Sequence, residues 1–376
     1  MTTEATVHEL GLIAGDDPRV RRVIGPTGRL ARPGAAAPAA ELCLELYRRM
    51  VAGRRLDQQA TALAKQGRLT VYPSSQGQEA CQIGAVVPLS PGDWLFPTYR
   101  DCVAVMARGV DPVEALTLMR GDRHCGYDPY LHRVAPQTTP LATQAVHAAG
   151  LAHAARLRGD STVALALIGD GATSEGDFHE ACNFAAVFRS PVVFLIQNNQ
   201  YAISVPLSRQ TAAKRLADKA IGYGMAAHVV DGNDAVAVAA VVAEALTAAR
   251  AGQGPCLIEA LTYRVGPHTN SDDPARYRTE EEVEPWRRRD PLARLRTHLR
   301  GRGLLDDAGE ARVGEEAERL AADLRRRMEH DEAPEPGELF AHVFAEPTPR
   351  LRRQAEELRR ELDGARPADG EPCRPA

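Results

Sequence analysis

The sequence predicts an α/β fold, a mostly parallel sheet flanked by helices with a helical C-terminal extension, on three observations. Apolar runs of strand length recur along the chain, at Trp94–Phe96, Ser161–Leu167, Ala227–Val230 and Pro255–Leu261, and within "SPVVFLIQNNQYAIS". Between them lie stretches with helical periodicity, at Ala142–Arg158, Ala212–Tyr223 and Ala235–Ala251. From Glu280 the chain turns charged and helical.

Taken in order, "ARPGAAAPAA" reads as part of a flexible lead-in over residues 1–40, and the helical pattern of Glu41 to Arg68 marks the start of the folded domain. That domain is expected over 41–345, followed by a C-terminal helix over 346–363. The tail 364–376, "GARPADGEPCRPA" from Gly364, is too poor in apolar residues to fold. No internal repeat is visible. The seven cysteines are scattered without a Cys-x-x-Cys pair, which argues against a disulfide framework and a zinc site. A formal net charge of −4 gives no reason to expect nucleic acid, and no apolar run approaches a membrane span. The opening "MTTEATVHEL" is acidic and lacks a hydrophobic signal core, so the cytoplasm is the expected compartment.

The chemistry concentrates in "IGDGATSEGDF", Ile168 to Phe178. Alone, Gly-Asp-Gly is a tight turn with a helix-capping aspartate. The next stretches, "DFHEACNFAAVF" and then the strand pattern ending in paired asparagines, make a strand–helix–strand unit. Ala172 to Gln197 is long enough for the helix that a parallel crossover needs. Asp170 and Asn199 then fall at the carboxyl ends of neighbouring parallel strands, where ligands bind in such sheets. Their oxygens are hard ligands suited to Mg²⁺ carrying a diphosphate. In "TTPLATQ" the hydroxyls and proline read as a helix cap.

With these features, the chain resembles the alpha subunit of the thiamine diphosphate-dependent decarboxylating component of 2-oxo acid dehydrogenase complexes. This family handles pyruvate or branched-chain 2-oxo acids on a thiamine diphosphate-binding fold. The resemblance rests on "GRLTVYPSSQGQEA", "FPTYRD", "TTPLATQ", "GDGATSEGDFHEACNFAAVF", "QNNQYAIS", "VDGND" and "YRVGPHTNSDDPARYR", from Arg68 to Arg278. It implies that Asp170, Asn199 and the backbone carbonyl of Tyr201 ligate Mg²⁺, with Gly169, Gly171 and Ala172 close to the diphosphate and a helix start near Glu175 adding a partly positive end. It implies phosphate contacts from Tyr99 and Arg100, and cofactor contacts from Thr139 and Leu141. Thr138, Thr143 and Gln144 match positions that hold a monovalent cation in some members. His268 in "GPHTN" matches the histidine near the reacting carbon and is the candidate general acid/base, with His132 a distant second.

Some members carry arginine where this chain has Gln197, and mitochondrial relatives a phosphorylated serine where it has Thr269. The implied reaction is decarboxylation of a 2-oxo acid and transfer of the acyl group to a lipoyl-bearing acyltransferase. The ring-activating glutamate would come from a separate beta subunit in an α2β2 assembly. Two other readings are an acetoin dehydrogenase alpha subunit and a non-catalytic phosphate-binding module.

Overall fold

A computed structural model describes residues 17–122, 124–329 and 335–364. Its strands are β1 (Val20–Arg21), β2 (Trp94–Phe96), β3 (Ala164–Gly169), β4 (Val192–Asn198), β5 (Tyr201–Ala202), β6 (Val205–Pro206), β7 (Ala226–Asp231) and β8 (Cys256–Leu261). Six form one parallel sheet in the order β1-β7-β8-β4-β3-β2, and β5 and β6 form a small antiparallel ribbon. The helices of eight or more residues are α1 (Ala40–Lys65), α2 (Glu79–Val86), α3 (Pro112–Arg120), α4 (Thr143–Arg158), α5 (Gly176–Val187), α6 (Ala235–Arg250), α7 (Glu280–Arg287), α8 (Pro291–Gly301), α9 (Asp307–Arg327) and α10 (Pro349–Gly364). The α/β class with a mostly parallel, helix-flanked sheet is borne out.

Side chains alternate across the sheet, as the period of a strand requires. Leu165, Leu167, Val193 and Leu195 pack with Val238, Val241 and Val242 of α6 on one face. Ala164, Ala166, Ile168, Phe194 and Ile196 pack on the other with Ala145, Ala148 and Ala152 of α4 and Phe178 and Ala181 of α5. Both faces are covered, which is why the central strands read as continuous apolar runs. A third cluster joins α1 to α9, through Leu56, Ala60 and Leu63 against Leu324 and Met328.

Three expectations need correction. The lead-in does not extend to residue 40, because Val20 and Arg21 pair with Val229 and Val230 and Ile24 is buried. The Asp234 carboxylate accepts the Val23 and Ile24 N–H groups and so fixes this segment to the start of α6. The helix expected over Ala212–Tyr223 is only a 3₁₀ turn, Leu216–Asp218, and a short helix, Lys219–Tyr223. Arg215 is extended there, and Glu259 accepts the Ala217 N–H that a longer helix would use. The hydroxyls of "TTPLATQ" do not cap α4, whose first turn is entered through left-handed Ala142 with no side-chain cap. The helix start expected near Glu175 is where the structure has it, Glu175 being the N-cap of α5, with a 3₁₀ turn, Gly171–Ser174, between it and Asp170.

The C-terminal helix runs to Gly364, and the expected tail from 365 onward lies outside the described residues, as do residues 1–16. Among the described residues six cysteines are free, and Cys373 lies outside them. No described helix is long and apolar enough to cross a membrane.

Candidate active site

Four adjacent strands, β2, β3, β4 and β8, end side by side, and the residues just past their carboxyl ends surround a cavity of about 390 Å³. Tyr99 and Arg100 follow β2; Gly169, Asp170, Gly171 and Ala172 close β3; Asn199 and Tyr201 follow β4; His268 and Thr269 lie beyond β8. Thr138, Thr139, Leu141 and Gln144 complete one wall. Every residue expected to bind the cofactor therefore lines one space, at the edge of a parallel sheet where ligands are received.

One corner gathers side-chain oxygens. Asp170 is fully buried; its Oδ2 accepts from Gln210 Nε2 at 2.8 Å, while its Oδ1 has no partner. Burial raises its pKa, against the Gln210 donor and the Asn199 backbone N–H, which lower it. Asn199 donates Nδ2 to Gln78 Oε1 at 3.2 Å, which fixes its amide so that Oδ1 is the free end, accepting only weakly from the Tyr201 N–H at 3.3 Å. Gln200, between them, has φ 75°, a left-handed turn that brings Asn199 and Tyr201 to the same cavity. Gly171 has to be glycine, since a Cβ there would stand 2.6 Å from the Ala202 Cβ; a Cβ on Gly169 would meet nothing and would only fill ligand space.

The opposite corner is basic. Arg100 donates to the carbonyls of Ser74 at 2.9 Å and His268 at 3.0 Å, and its Nη2 also lies 3.0 Å from His268 Nδ1. Arg264 approaches the same nitrogen at 3.4 Å. A guanidinium has no acceptor, so Nδ1 must accept and the imidazole proton resides on Nε2. Burial, then the Arg100 and Arg264 charges, hold the His268 pKa down to about 4, with Asp272 opposing. The imidazole packs edge-on to Tyr99, whose ring lies 5.7 Å from the Arg100 guanidinium carbon.

Five buried polar atoms around the cavity are left unsatisfied. Gln78 Nε2, Gln144 Oε1, Asp170 Oδ1, Gln197 Oε1 and Arg264 Nε are buried without partners, and all five residues line the cavity. Each orphan costs about 1–3 kcal/mol until something pairs with it. A polar ligand with both anionic and cationic parts fits this set, as a metal-bound diphosphate does.

The family model described as "Dehydrogenase E1 component" matches residues 47–337. The chain belongs to the dehydrogenase E1 component family. It is similar to the 3-methyl-2-oxobutanoate dehydrogenase subunit alpha of Mycobacterium tuberculosis, 49% identical over 84% of this chain and 86% of that one. It is also similar to the pyruvate dehydrogenase E1 component subunit alpha of Acholeplasma laidlawii, 39% identical over 87% of this chain and 95% of the relative. The corresponding subunit of Staphylococcus aureus is 44% identical over 76% of each chain. The family recognised from the motifs is borne out, and so is the reading as an oxidoreductase alpha subunit.

Not every expectation about the E1 site matches the geometry. His132 lies on a short helix against Tyr127, away from the cavity, and Thr143 starts α4 without lining it. Gln197 donates its amide to Asp101 at 2.7 Å, and its carbonyl oxygen is buried without a partner. Three residues were missed. Arg264 was findable, because it follows β8 on the same edge as Asp170 and Asn199. Gln78 and Gln210 were not, since they reach their partners across 121 and 40 residues of chain.

Proposed function

We propose that the chain is the alpha subunit of a thiamine diphosphate- and Mg²⁺-dependent 2-oxo acid dehydrogenase, acting on pyruvate or a branched-chain 2-oxo acid. The observation that carries this reading is the buried, unpartnered Oδ1 of Asp170 beside Asn199 at the mouth of two adjacent parallel strands. The relatives' names supply the substrate class.

Asp170, Asn199 and the Tyr201 carbonyl would hold Mg²⁺, an octahedral cation that takes oxygen ligands and shares them with phosphates. Gly169 leaves room for the diphosphate, and Gly171 and Ala172 bring backbone close to it. Arg100 and Tyr99 would face its charge, and Thr139 and Leu141 would touch the cofactor. When bound, thiamine diphosphate supplies the carbanion and electron sink for decarboxylation. His268 contributes Nε2–H as a fixed donor to a phosphate oxygen or to the oxygen on which negative charge develops; its lone pair is committed to arginine. That narrows the general acid/base role expected of it to donation. A monovalent cation at Thr138 and Gln144 is supported by the unpartnered Gln144 Oε1, with Thr143, which does not line the cavity, left out.

Only one metal-and-diphosphate unit is found in the sequence, so a beta subunit would complete the site in an α2β2 assembly, and a lipoyl-bearing acyltransferase would accept the acyl group. The cytoplasm suits the free cysteines. The test is turnover of a 2-oxo acid panel by the chain co-expressed with its beta subunit, with thiamine diphosphate, Mg²⁺ and an artificial electron acceptor. Turnover of pyruvate or 3-methyl-2-oxobutanoate is expected; failure with every acid would overturn the reading.

A further inference from the structure

Glu259 is a buried carboxylate that lines no part of the cofactor cavity. It lies within β8, opposite Ile196 of β4, and is 1% exposed. Its two oxygens accept from two separate segments, Asn198 Nδ2 at 2.7 Å and the Ala217 N–H at 3.0 Å. Asn198, equally buried, extends the chain of contacts. Its Oδ1 accepts the Gln200 N–H at 3.3 Å and Gln200 Nε2 at 3.0 Å, and its carbonyl takes Nε2 as well at 3.1 Å.

Gln200 is the left-handed residue between Asn199 and Tyr201. An L side chain pays about 1–2 kcal/mol for that conformation. Gln200 is kept there by its own amide and N–H, both folded back onto Asn198. The Ala217 contact fastens the far end of the loop carrying Gln210, the donor to Asp170.

We infer that Glu259 is a positioning residue for the metal corner: through Asn198 it holds Gln200 in the turn that presents Asn199 and Tyr201 to the cation. This rests on the assignment of Asn199 and Tyr201 as metal ligands above. A carboxylate in this place also fixes the Asn198 amide, because it can accept but not donate, so Asn198 Oδ1 must face Gln200.

The test is Mn²⁺ titration of the assembled enzyme with thiamine diphosphate, by calorimetry and electron paramagnetic resonance, with circular dichroism of each variant to score the folded fraction. Glu259→Gln is expected to weaken Mn²⁺ binding by about 10-fold, the low end of the loss seen for a direct outer partner of a metal ligand, because it acts one step further out, through Asn198 and Gln200. Gln200→Ala should weaken it too. Gln200→Gly should not, because glycine takes the positive φ unaided. Combined with Glu259→Gln, Gln200→Gly should recover most of the lost affinity.

A merely structural role for Glu259 would lower the folded fraction and leave the affinity of folded molecules unmoved. Wild-type affinity in folded Glu259→Gln, or no recovery in the double variant, overturns the inference. If Glu259→Gln does not fold, equal affinities for the alanine and glycine variants at position 200 overturn it instead. A wild-type enzyme that binds no Mn²⁺ in the presence of thiamine diphosphate removes the metal assignment itself, an outcome distinct from the other three.

Discussion

His268 meets the solvent differently from an ordinary histidine. With its pKa held down to about 4 by burial and the Arg100 and Arg264 charges, it stays neutral across the range in which free imidazole titrates. The unfolded chain takes up this proton first as pH falls below about 6.5, so the stability His268 contributes is complete above that pH and is lost as pH falls toward 4. Denaturant midpoints should therefore drop more for wild type than for His268→Gln between about pH 7 and pH 5; equal drops would show that this residue does not titrate as placed. His268→Ala should keep cofactor and lose about 10²–10³-fold in acyl transfer to a lipoyl acceptor, the range for loss of one fixed hydrogen-bond donor to a developing charge. Asp170→Ala should abolish Mg²⁺-dependent thiamine diphosphate binding with the fold intact, which calorimetry and circular dichroism check together. Asp170 and Asn199 were legible because strand ends are local patterns. The pairing of His268 with Arg100 was not, since 168 residues separate them and only the packed loops bring them within 3.0 Å.

Among the elements, the turn after β3 and the ribbon after β4 come close at Gly171 and Ala202. Gly171→Ala should displace the ribbon and weaken cofactor binding, and Ala202→Gly in the same chain should restore it by removing the methyl group that the new Cβ would strike. Unchanged cofactor affinity in Gly171→Ala would mean the contact is soft. The segment that follows edge strand β1 is fastened through the Asp234 carboxylate. Asp234→Ala would strand the Val23 and Ile24 N–H groups and remove the N-cap bond to Ala237, a loss of at least about 2 kcal/mol measured by chemical denaturation. A strand of two residues carries no periodicity, so β1 could not be read from sequence. The segment Ala212–Tyr223 misled in the opposite way: its alanines favour helix, but Glu259 captures a backbone donor that the helix would need.

For the molecule as a whole, the alternation of strands and helices was legible, while the strand order was not. Nothing local places β8 between β7 and β4, yet that insertion is what lines up four strand ends around one cavity. The division of labour among chains leads to a further expectation. Alone, with thiamine diphosphate, Mg²⁺, an artificial acceptor and each candidate acid, the chain should show no decarboxylation, and adding the beta subunit should start it; full turnover by the single chain would show a self-contained site. The margins of the sheet bear on how such an assembly can form. One margin is the two-residue β1, and the other is the three-residue β2, stopped by Pro97 and bridged by the segment around Val134 and Thr138. Short, proline-stopped and covered margins give a foreign strand nothing to zip onto. Neighbouring chains must be recruited through side chains and loops, and the concentrated protein is guarded against the open-ended ribbon growth that leads to fibrils.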